Sequence, residues 1–236
     1  SMIKVLSIGQ LPQEVGGSYT TGVTRVVHEL SKQQIPDVEQ YLYATNVKSE
    51  DAEKICTYPH QYMGYKLMLF EVLCNVLKHP LQTMKEWQHY KKVCHMNPIR
   101  FEIYKANYER VVKEVNPDIV HIHGLGISPL YHLNKKYGLP ILRTSHAVPL
   151  LREYGDKYRT AVDAALGTRY FADYDTALNV DNKNKLVELG VDPSKITIIS
   201  NGIDTKRFFF LKDERESIRK ENGATDDTVV FMTSGL

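Results

Sequence analysis

The sequence predicts an α/β protein with a Rossmann-like parallel sheet and helices on both faces of that sheet. Three observations lead to this prediction. A short apolar run of branched residues opens the chain at 4–8 (KVLSI), and a glycine-containing loop follows it. Apolar residues then recur with helical spacing, and strand-like and helical patterns alternate along most of the remaining chain. Strands that alternate with helices are typical of a parallel sheet covered on both faces.

The N-terminal quarter of the chain predicts one strand–loop–helix–strand unit. Residues 9–22 hold Gly, Ser, Thr and Pro without a periodic pattern, which indicates a loop. A helix follows, because apolar residues recur at i, i+3, i+4 and i+7: Val23, Val26, Val27 and Leu30. Residues 40–45 (QYLYAT) predict the second strand of the unit.

The rest of the chain resumes the alternation after a helical middle. Residues 62–115 are mostly helical by pattern, with Pro80 between two helices. One apolar stripe in this region joins Tyr104, Tyr108, Val111, Val112 and Val115. Strands are predicted at 118–123, 139–145, 175–180 and 195–200. A charged helix at 213–221 and a strand at 228–233 follow.

Composition excludes several classes of protein. The 236 residues carry 30 Lys and Arg against 28 Asp and Glu, which offers no electrostatic case for nucleic acid as a partner. No apolar run approaches the ~20 residues of a spanning helix, and no signal-peptide pattern opens the chain. Cys56, Cys74 and Cys94 are widely spaced, which predicts free thiols, no metal site and a cytoplasmic location.

Four segments together resemble a known enzyme family. Residues 201–208 (NGIDTKRF), with the strand before them, resemble the interdomain signature of the GT-B retaining glycosyltransferases of family 4 (group 1). Residues 118–123 (DIVHIH), 143–146 (RTSH) and 22–30 (GVTRVVHEL) are similar to three further segments of that family. The four matches follow the family's order along the chain.

The resemblance implies two Rossmann-like domains that face each other across a cleft. Residues 1–200 then form the GT-B N-terminal domain, which mainly holds the acceptor, with a helical insertion. Residues 201–236 form the crossing segment and the first strand of an incomplete C-terminal domain. The C-terminal glutamates and basic residues that grip the donor in this family have no counterpart here, so we expect this N-terminal fragment to be inactive alone.

The resemblance also implies an activity, namely transfer of a sugar from a nucleotide diphosphate sugar to an acceptor hydroxyl with retention. The chemistry would need no metal and no cofactor besides the donor substrate. The expected partners are the nucleotide sugar and a sugar or lipid-linked acceptor. The alternative is a non-catalytic Rossmann-like ligand-binding domain. A dinucleotide oxidoreductase is disfavoured, because the glycine spacing is wrong and Asn46 stands where an acidic residue is expected.

The glycine-containing loop is the first candidate site. Glycines let a ligand approach the backbone, and a helix N-terminus offers free N–H groups with positive partial charge. The resemblance places the contact either at Gly16-Gly17 or at Thr21-Gly22, where Thr21 replaces the family's usual first glycine. The other interpretation is turn chemistry without ligand contact.

Histidines at two predicted strand ends form the second candidate site. His146 ends a strand at the edge where open α/β sheets bind ligands. The resemblance implies that His146 contacts the donor sugar, and an imidazole there can stabilise charge near the transferring sugar. His121 and His123 alternate along another strand, with His123 as a secondary lining residue. Structural histidines and a metal pair are the alternatives, although two ligands alone do not make a zinc site.

Two further segments allow more than one interpretation. Asn201-Gly202 predicts a turn that redirects the chain, with Asp204 and Phe208 pinning the crossing segment, or else a ligand loop. Residues 62–95 mix large apolar side chains with Lys and His. This surface is either the packed face of an inserted helical pair or a peripheral contact with a bilayer that carries a lipid-linked acceptor.

Overall fold

A computed structural model of the chain describes residues 2–47, 58–59, 65–94, 98–124, 130, 134, 136–147 and 172–231. The chain divides into two compact units, Ser1–Ser200 and Asn201–Leu236.

The first unit contains a seven-stranded sheet in which every neighbouring pair of strands is parallel. The strands are β1 (Ile3–Gly9), β2 (Val38–Ala44), β3 (Tyr58–Pro59), β4 (Ile119–His123), β5 (Ile141–Ser145), β6 (Tyr174–Ala177) and β7 (Ile196–Ile198). Their order in the sheet is β3-β2-β1-β4-β5-β6-β7. The chain therefore runs outward in one direction from β1 and in the other direction from β4.

Helices accompany the sheet and build the insertion. They are α1 (Gly22–Ser31), α2 (Tyr65–Lys78), α3 (Pro80–Cys94), α4 (Pro98–Val115) and α5 (Val180–Glu188), with α6 (Lys212–Glu221) in the second unit. Short 3₁₀ turns lie at Gln13–Val15 and Pro193–Lys195. Pro80 begins α3 two residues after α2 ends, which confirms the predicted break between two helices.

Two apolar cores hold helices against opposite faces of the sheet. The stripe predicted on α4 packs on one face, where Tyr108, Val111, Val112 and Val115 are buried with Leu6, Ile8, Val120 and Ile122. On the other face Val27 of α1 is buried with Leu42 and Ala44. Side chains alternate between the faces of a strand, so β2 supplies both cores, with Tyr43 in the first and Leu42 and Ala44 in the second. The predicted fold class, a Rossmann-like sheet with helices on both faces, is confirmed.

The buried face of α1 differs from the predicted one. Thr24 and Val27 are buried, while Leu30 is 44% exposed. Thr24 faces inward because it completes the helix cap with Thr21, donating from its backbone N–H to the Thr21 hydroxyl at 3.3 Å. Capping therefore decides the rotation of the helix, which the apolar spacing alone did not predict.

Two predicted strands differ from the structure. The strand expected at 175–180 ends at Ala177, because the Asn179 side chain accepts from the Asn182 N–H at 2.8 Å and caps α5. The strand expected at 228–233 is wrong over its described part, since 228–231 is not a strand and Phe231 is 91% exposed. Residues 232–233 lie outside the described residues.

The second unit carries its turn three residues later than expected. Residues 201–204 form no turn, whereas the Asp204 carboxylate accepts from the Lys206 N–H at 2.9 Å, and its carbonyl accepts from the Phe208 N–H at 2.8 Å. The Phe208 ring is 58% exposed. α6 follows close to the predicted bounds.

Candidate functional site

The centre of the sheet is the point at which strand order reverses, between β1 and β4. Ligands in open α/β folds bind beyond the carboxyl ends of the strands at such a point. Gly9 ends β1 here, and a Cβ built on it would lie 2.9 Å from Val27 and 3.6 Å from the Cβ of His123. The missing side chain at Gly9 therefore lets α1 and β4 approach β1 closely.

Three histidines gather at the carboxyl ends of β4 and β5. The rings of His121 and His123 lie 4.3 Å apart between centroids, on the same face of β4. His123 Nδ1 lies 3.2 Å from His146 Nε2, and these two rings stack at 5.4 Å. The structure thus brings together His123 and His146, the two histidines predicted to line the site.

Hydroxyl groups extend the cluster away from the strand ends. His121 Nε2 lies 2.7 Å from the Thr144 hydroxyl, which lies 2.6 Å from the Thr176 hydroxyl. His121 is therefore a structurally satisfied histidine whose ring lies against that of His123, tilted by 40°. The spacing of His-x-His predicted the shared face, but the threonine partners lie on β5 and β6, at sequence distances that no local pattern covers.

The cluster is electrically neutral at ordinary pH. Burial, together with the neighbouring imidazoles, lowers the pKa of His123 to about 3 and that of His121 to about 4. Burial also lowers the pKa of His146. When both imidazoles are neutral, one of the two contacting nitrogens carries a proton and donates, and the other accepts. The tautomer of His123 therefore fixes the tautomer of His146. The His146 Nδ1 atom has no hydrogen-bond partner among the described residues.

The glycine pair shapes the loop after β1. Gly16 has φ 91°, in the left-handed region, and its N–H donates to the Gln13 carbonyl at 3.1 Å. The Gly17 N–H donates to the Pro12 carbonyl at 3.0 Å, and a Cβ on Gly17 would lie 1.8 Å from the Leu11 carbonyl oxygen. Both amides are therefore engaged inside the loop, and ligand contact by this pair stays a prediction.

Asn46 holds that loop in place, a role that sequence reasoning missed. Its side-chain amide donates to the Leu11 carbonyl at 2.8 Å and accepts from the Leu11 N–H at 2.9 Å. Leu11 is fully buried, so this pair of bonds satisfies both of its backbone groups. The sequence signal available for this role was the position of Asn46 just after β2, because that position faces the loop after β1 in this fold.

The first turn of α1 offers backbone donors. Thr21 caps the helix, since its N–H donates to the Thr24 hydroxyl at 2.9 Å and its own hydroxyl accepts from Thr24. The N–H groups of Gly22 and Val23 have no partner among the described residues, as expected of a first helical turn. A Cβ on Gly22 would meet no atom within 4 Å, so open space surrounds this position.

The described residues contain no cluster of three or more His, Cys, Asp or Glu side chains arranged to hold a metal ion. Cys74 is a free, half-buried thiol, whereas Cys56 lies outside the described residues. In the described part of the chain, no helix combines the length and apolar character needed to cross a bilayer.

The reversal of strand order, the capped helix after β1 and the strand-end histidines define a Rossmann-like domain, with a candidate ligand site at the carboxyl edge of its sheet. The chain belongs to Glycosyltransferase Family 4, because the model of that family matches residues 20–207. A comparison with curated proteins finds no match.

Solved structures support the fold. UDP-N-acetylglucosamine 2-epimerase from Rickettsia bellii is 13% identical with a TM-score of 0.53, over 95% of this chain and 52% of that one. The Neisseria meningitidis enzyme, bound to UDP-GlcNAc, is 12% identical with a TM-score of 0.53, over 96% and 55%. The Methanocaldococcus jannaschii enzyme is 14% identical with a TM-score of 0.51, over 85% and 46%. The chain spans about half the length of these proteins, and such identities show the fold alone.

Proposed function

We propose that this protein transfers a sugar from a nucleotide diphosphate sugar to an acceptor hydroxyl with retention of anomeric configuration. Residues 1–200 would supply the acceptor-side domain, and residues 201–236 would begin the crossing to a donor-side domain. The observation that carries the proposal is the neutral pair of His123 and His146 at the strand ends, in a chain that belongs to Glycosyltransferase Family 4.

His146 is the proposed catalytic residue. Its Nε2 is engaged by His123 at 3.2 Å, which leaves Nδ1 for a substrate hydroxyl. Because the two tautomers are coupled, His123 decides whether this nitrogen donates or accepts. A neutral imidazole can then orient a sugar hydroxyl, or stabilise positive charge that develops near the transferring carbon.

The first turn of α1 is the proposed contact for phosphate or for acceptor oxygens. Free N–H groups at a helix N-terminus, with the positive end of the helix dipole, bind anions without a metal. The open space around Gly22 and the capped geometry at Thr21 favour this position over Gly16-Gly17, whose amides are engaged. Gly16 and Gly17 would then act by shaping the loop.

The donor and the acceptor are proposed by class. A structurally similar epimerase is bound to UDP-GlcNAc, so UDP-sugars are the first donors to test. The acceptor would be a sugar or a lipid-linked hydroxyl, met by a cytoplasmic protein at the inner face of the membrane. The 236 residues would not turn over substrate alone, since the family's donor-gripping residues have no counterpart in them.

The test is release of nucleotide diphosphate from a panel of nucleotide sugars and acceptors. It compares the longest product of the gene with the 236-residue chain. We expect release by the longer protein, none by the chain, and a loss of about 100-fold or more in His146→Ala. The control is His28→Ala, which should keep activity. His28 is half-buried as His146 is, but it lies on α1. Absence of both release and sugar-nucleotide binding would instead support the non-catalytic binding domain.

A further inference from the structure

The contact between His123 and His146 leaves one further nitrogen on each ring. His123 Nδ1 lies 3.2 Å from His146 Nε2, so His123 Nε2 and His146 Nδ1 lie outside this contact. Among the described residues, no group pairs with either of these two atoms. Both rings are half-buried, so each keeps some surface that a ligand can reach. The pair therefore offers two nitrogen atoms to ligands, of which the proposed function uses only that of His146.

These two outer nitrogens have opposite hydrogen-bonding roles. Burial lowers the pKa of both imidazoles, so each ring is neutral at pH 7 and carries one proton. When His146 Nε2 carries the proton and donates to His123 Nδ1, His146 Nδ1 accepts and His123 Nε2 donates. When His123 Nδ1 carries the shared proton instead, His146 Nδ1 donates and His123 Nε2 accepts. In both arrangements the two rings have the same tautomer, and the pair cannot donate to two oxyanions at once.

His123 lies on the α1 side of the pair. A Cβ built on Gly9, at the end of β1, would lie 2.9 Å from Val27 of α1 and 3.6 Å from the Cβ of His123. His146 follows β5, one strand further from β1. Val27 is thus level with the end of β1, and α1 begins at Gly22, about 7.5 Å from Val27 along the helix axis and beyond the strand ends. His123 therefore lies between the backbone donors of α1 and the His146 ring.

We propose that His123 Nε2 donates a hydrogen bond to a phosphate oxygen of the nucleotide sugar, and that this bond sets His146 Nδ1 to accept from a sugar hydroxyl. The phosphate oxygens of a nucleotide diphosphate sugar carry no proton at neutral pH, so they accept hydrogen bonds and never donate. A phosphate at this position therefore selects the tautomer with the proton on Nε2 in both rings. The inference rests on the proposed transfer reaction, and makes His123 a residue that contacts substrate.

The selected tautomer decides how the hydroxyl is held. A sugar hydroxyl both donates and accepts, so without the phosphate His146 can hold it in either sense. With the phosphate bound, the hydroxyl donates its proton to His146 Nδ1, and its lone pairs face away from the ring. Binding energy at the phosphate thus orients a group at the other ring, and the pair recognises one oxyanion together with one hydroxyl.

The first test is nitrogen-15 NMR of histidine-labelled protein, because protonated and unprotonated ring nitrogens differ widely in chemical shift. In the 236-residue chain, His123 and His146 should have the same tautomer at pH 7. The ligand probe is UDP, ADP or GDP, whichever binds the longest product of the gene most tightly. Saturation of that product with the probe should place the proton of both rings on Nε2. Two different tautomers, or protons on Nδ1 in the complex, overturn the inference.

The second test compares the affinity of two variants of β4 for the same nucleoside diphosphate, measured by calorimetry in the longest product. His123→Asn keeps an amide near the place of Nδ1 but does not reach as far as Nε2, so it loses the bond to phosphate. We expect its dissociation constant to rise about tenfold or more, since a hydrogen bond to a charged group is lost. His121→Gln is the matched control. It keeps a group that can bond the Thr144 hydroxyl, and should bind as the unchanged protein does.

The outcomes separate this inference from the proposed function. Sugar transfer by the unchanged protein, with undiminished nucleotide affinity in His123→Asn, overturns the inference and leaves the proposed function in place. An equal loss of affinity in His121→Gln also overturns it, because the loss then follows from the packing of the rings. If none of the three nucleotides binds and no nucleotide sugar is turned over, both fail. Circular dichroism checks that each variant is folded, and the tautomers of the unchanged protein test the inference without any variant.

Discussion

His123 and His146 face each other across β4 and β5, with Nδ1 of the first 3.2 Å from Nε2 of the second. Parallel pairing of the two strands sets His123 beside Thr144, two residues before His146. The ring of His123 also lies against that of His121, with the centroids 4.3 Å apart and the planes tilted by 40°. Side chains held from two sides in this way keep one orientation before any ligand arrives, which is what a positioned hydrogen-bonding group requires.

The histidines predict a loss of stability in mild acid. The pKa values of His123 and His121 are about 3 and about 4 in the folded chain, below the ordinary value of about 6.5. Between those values the unfolded chain binds more protons, so the free energy of unfolding falls as pH falls from 7 to 5. Urea unfolding of His123→Gln at both pH values should show a fall smaller by about 1–2 kcal/mol.

The effect of His123 is isolated by comparing the pH dependence of the free energy of unfolding in the unchanged chain and in His123→Gln. Burial raises the pKa of Glu102, and this acts in the opposite direction, since stability then rises as pH falls. The Glu102 contribution is the same in both proteins and cancels. An equal fall in the unchanged chain and in His123→Gln would contradict the assignment of a neutral, buried imidazole.

The sequence predicted the parts of this site that follow from local patterns, and did not predict the contacts between residues far apart in the chain. The strand ends were predictable, because apolar runs bounded by Gly, Asn and Pro are local signals, and parallel strands bring His123 and His146 to one edge. The contact of Asn46 with Leu11 joins residues 35 apart, and that of Arg143 with Asp175 joins residues 32 apart. Strand order decides such contacts, and no spacing along the chain encodes it.

Gly17 is predicted to tolerate no side chain. A Cβ there would lie 1.8 Å from the Leu11 carbonyl oxygen and 2.9 Å from the Asn46 amide nitrogen. Backbone atoms of a buried residue cannot move aside cheaply, so Gly17→Ala should lower the free energy of unfolding by about 2 kcal/mol or more, measured in urea. Gly22→Ala is the matched control at the start of α1. It meets no atom within 4 Å and should be neutral or slightly stabilising, and the reverse ranking would contradict the described loop.

The stabilising effect of Asn46 is predicted to depend on its side-chain amide group. Asn46→Asp keeps the acceptor for the Leu11 N–H but replaces the donor with an oxygen that faces the Leu11 carbonyl. We expect a loss of about 1–3 kcal/mol, with faster amide hydrogen exchange over residues 11–17. Asn222→Asp removes a comparable bond at the exposed end of α6 and should leave that exchange unchanged. Unaltered protection of the loop in Asn46→Asp would show that the amide does not hold it.

Removing one member of the ion pair between Arg143 and Asp175 is predicted to lower the free energy of unfolding more than removing both members. Both residues are almost fully buried, and Arg143 Nε donates to the Asp175 carboxylate at 2.6 Å, with a second bond from Nη2 at 3.2 Å. Arg143→Met leaves a buried carboxylate without its cation, and should lower the free energy of unfolding by about 3–5 kcal/mol in urea. Arg143→Met with Asp175→Leu removes both charges and should recover much of that loss, because the cost arises from the uncompensated charge. A double variant as unstable as Arg143→Met alone would mean that the pair itself, and not the orphaned charge, supplies the stability.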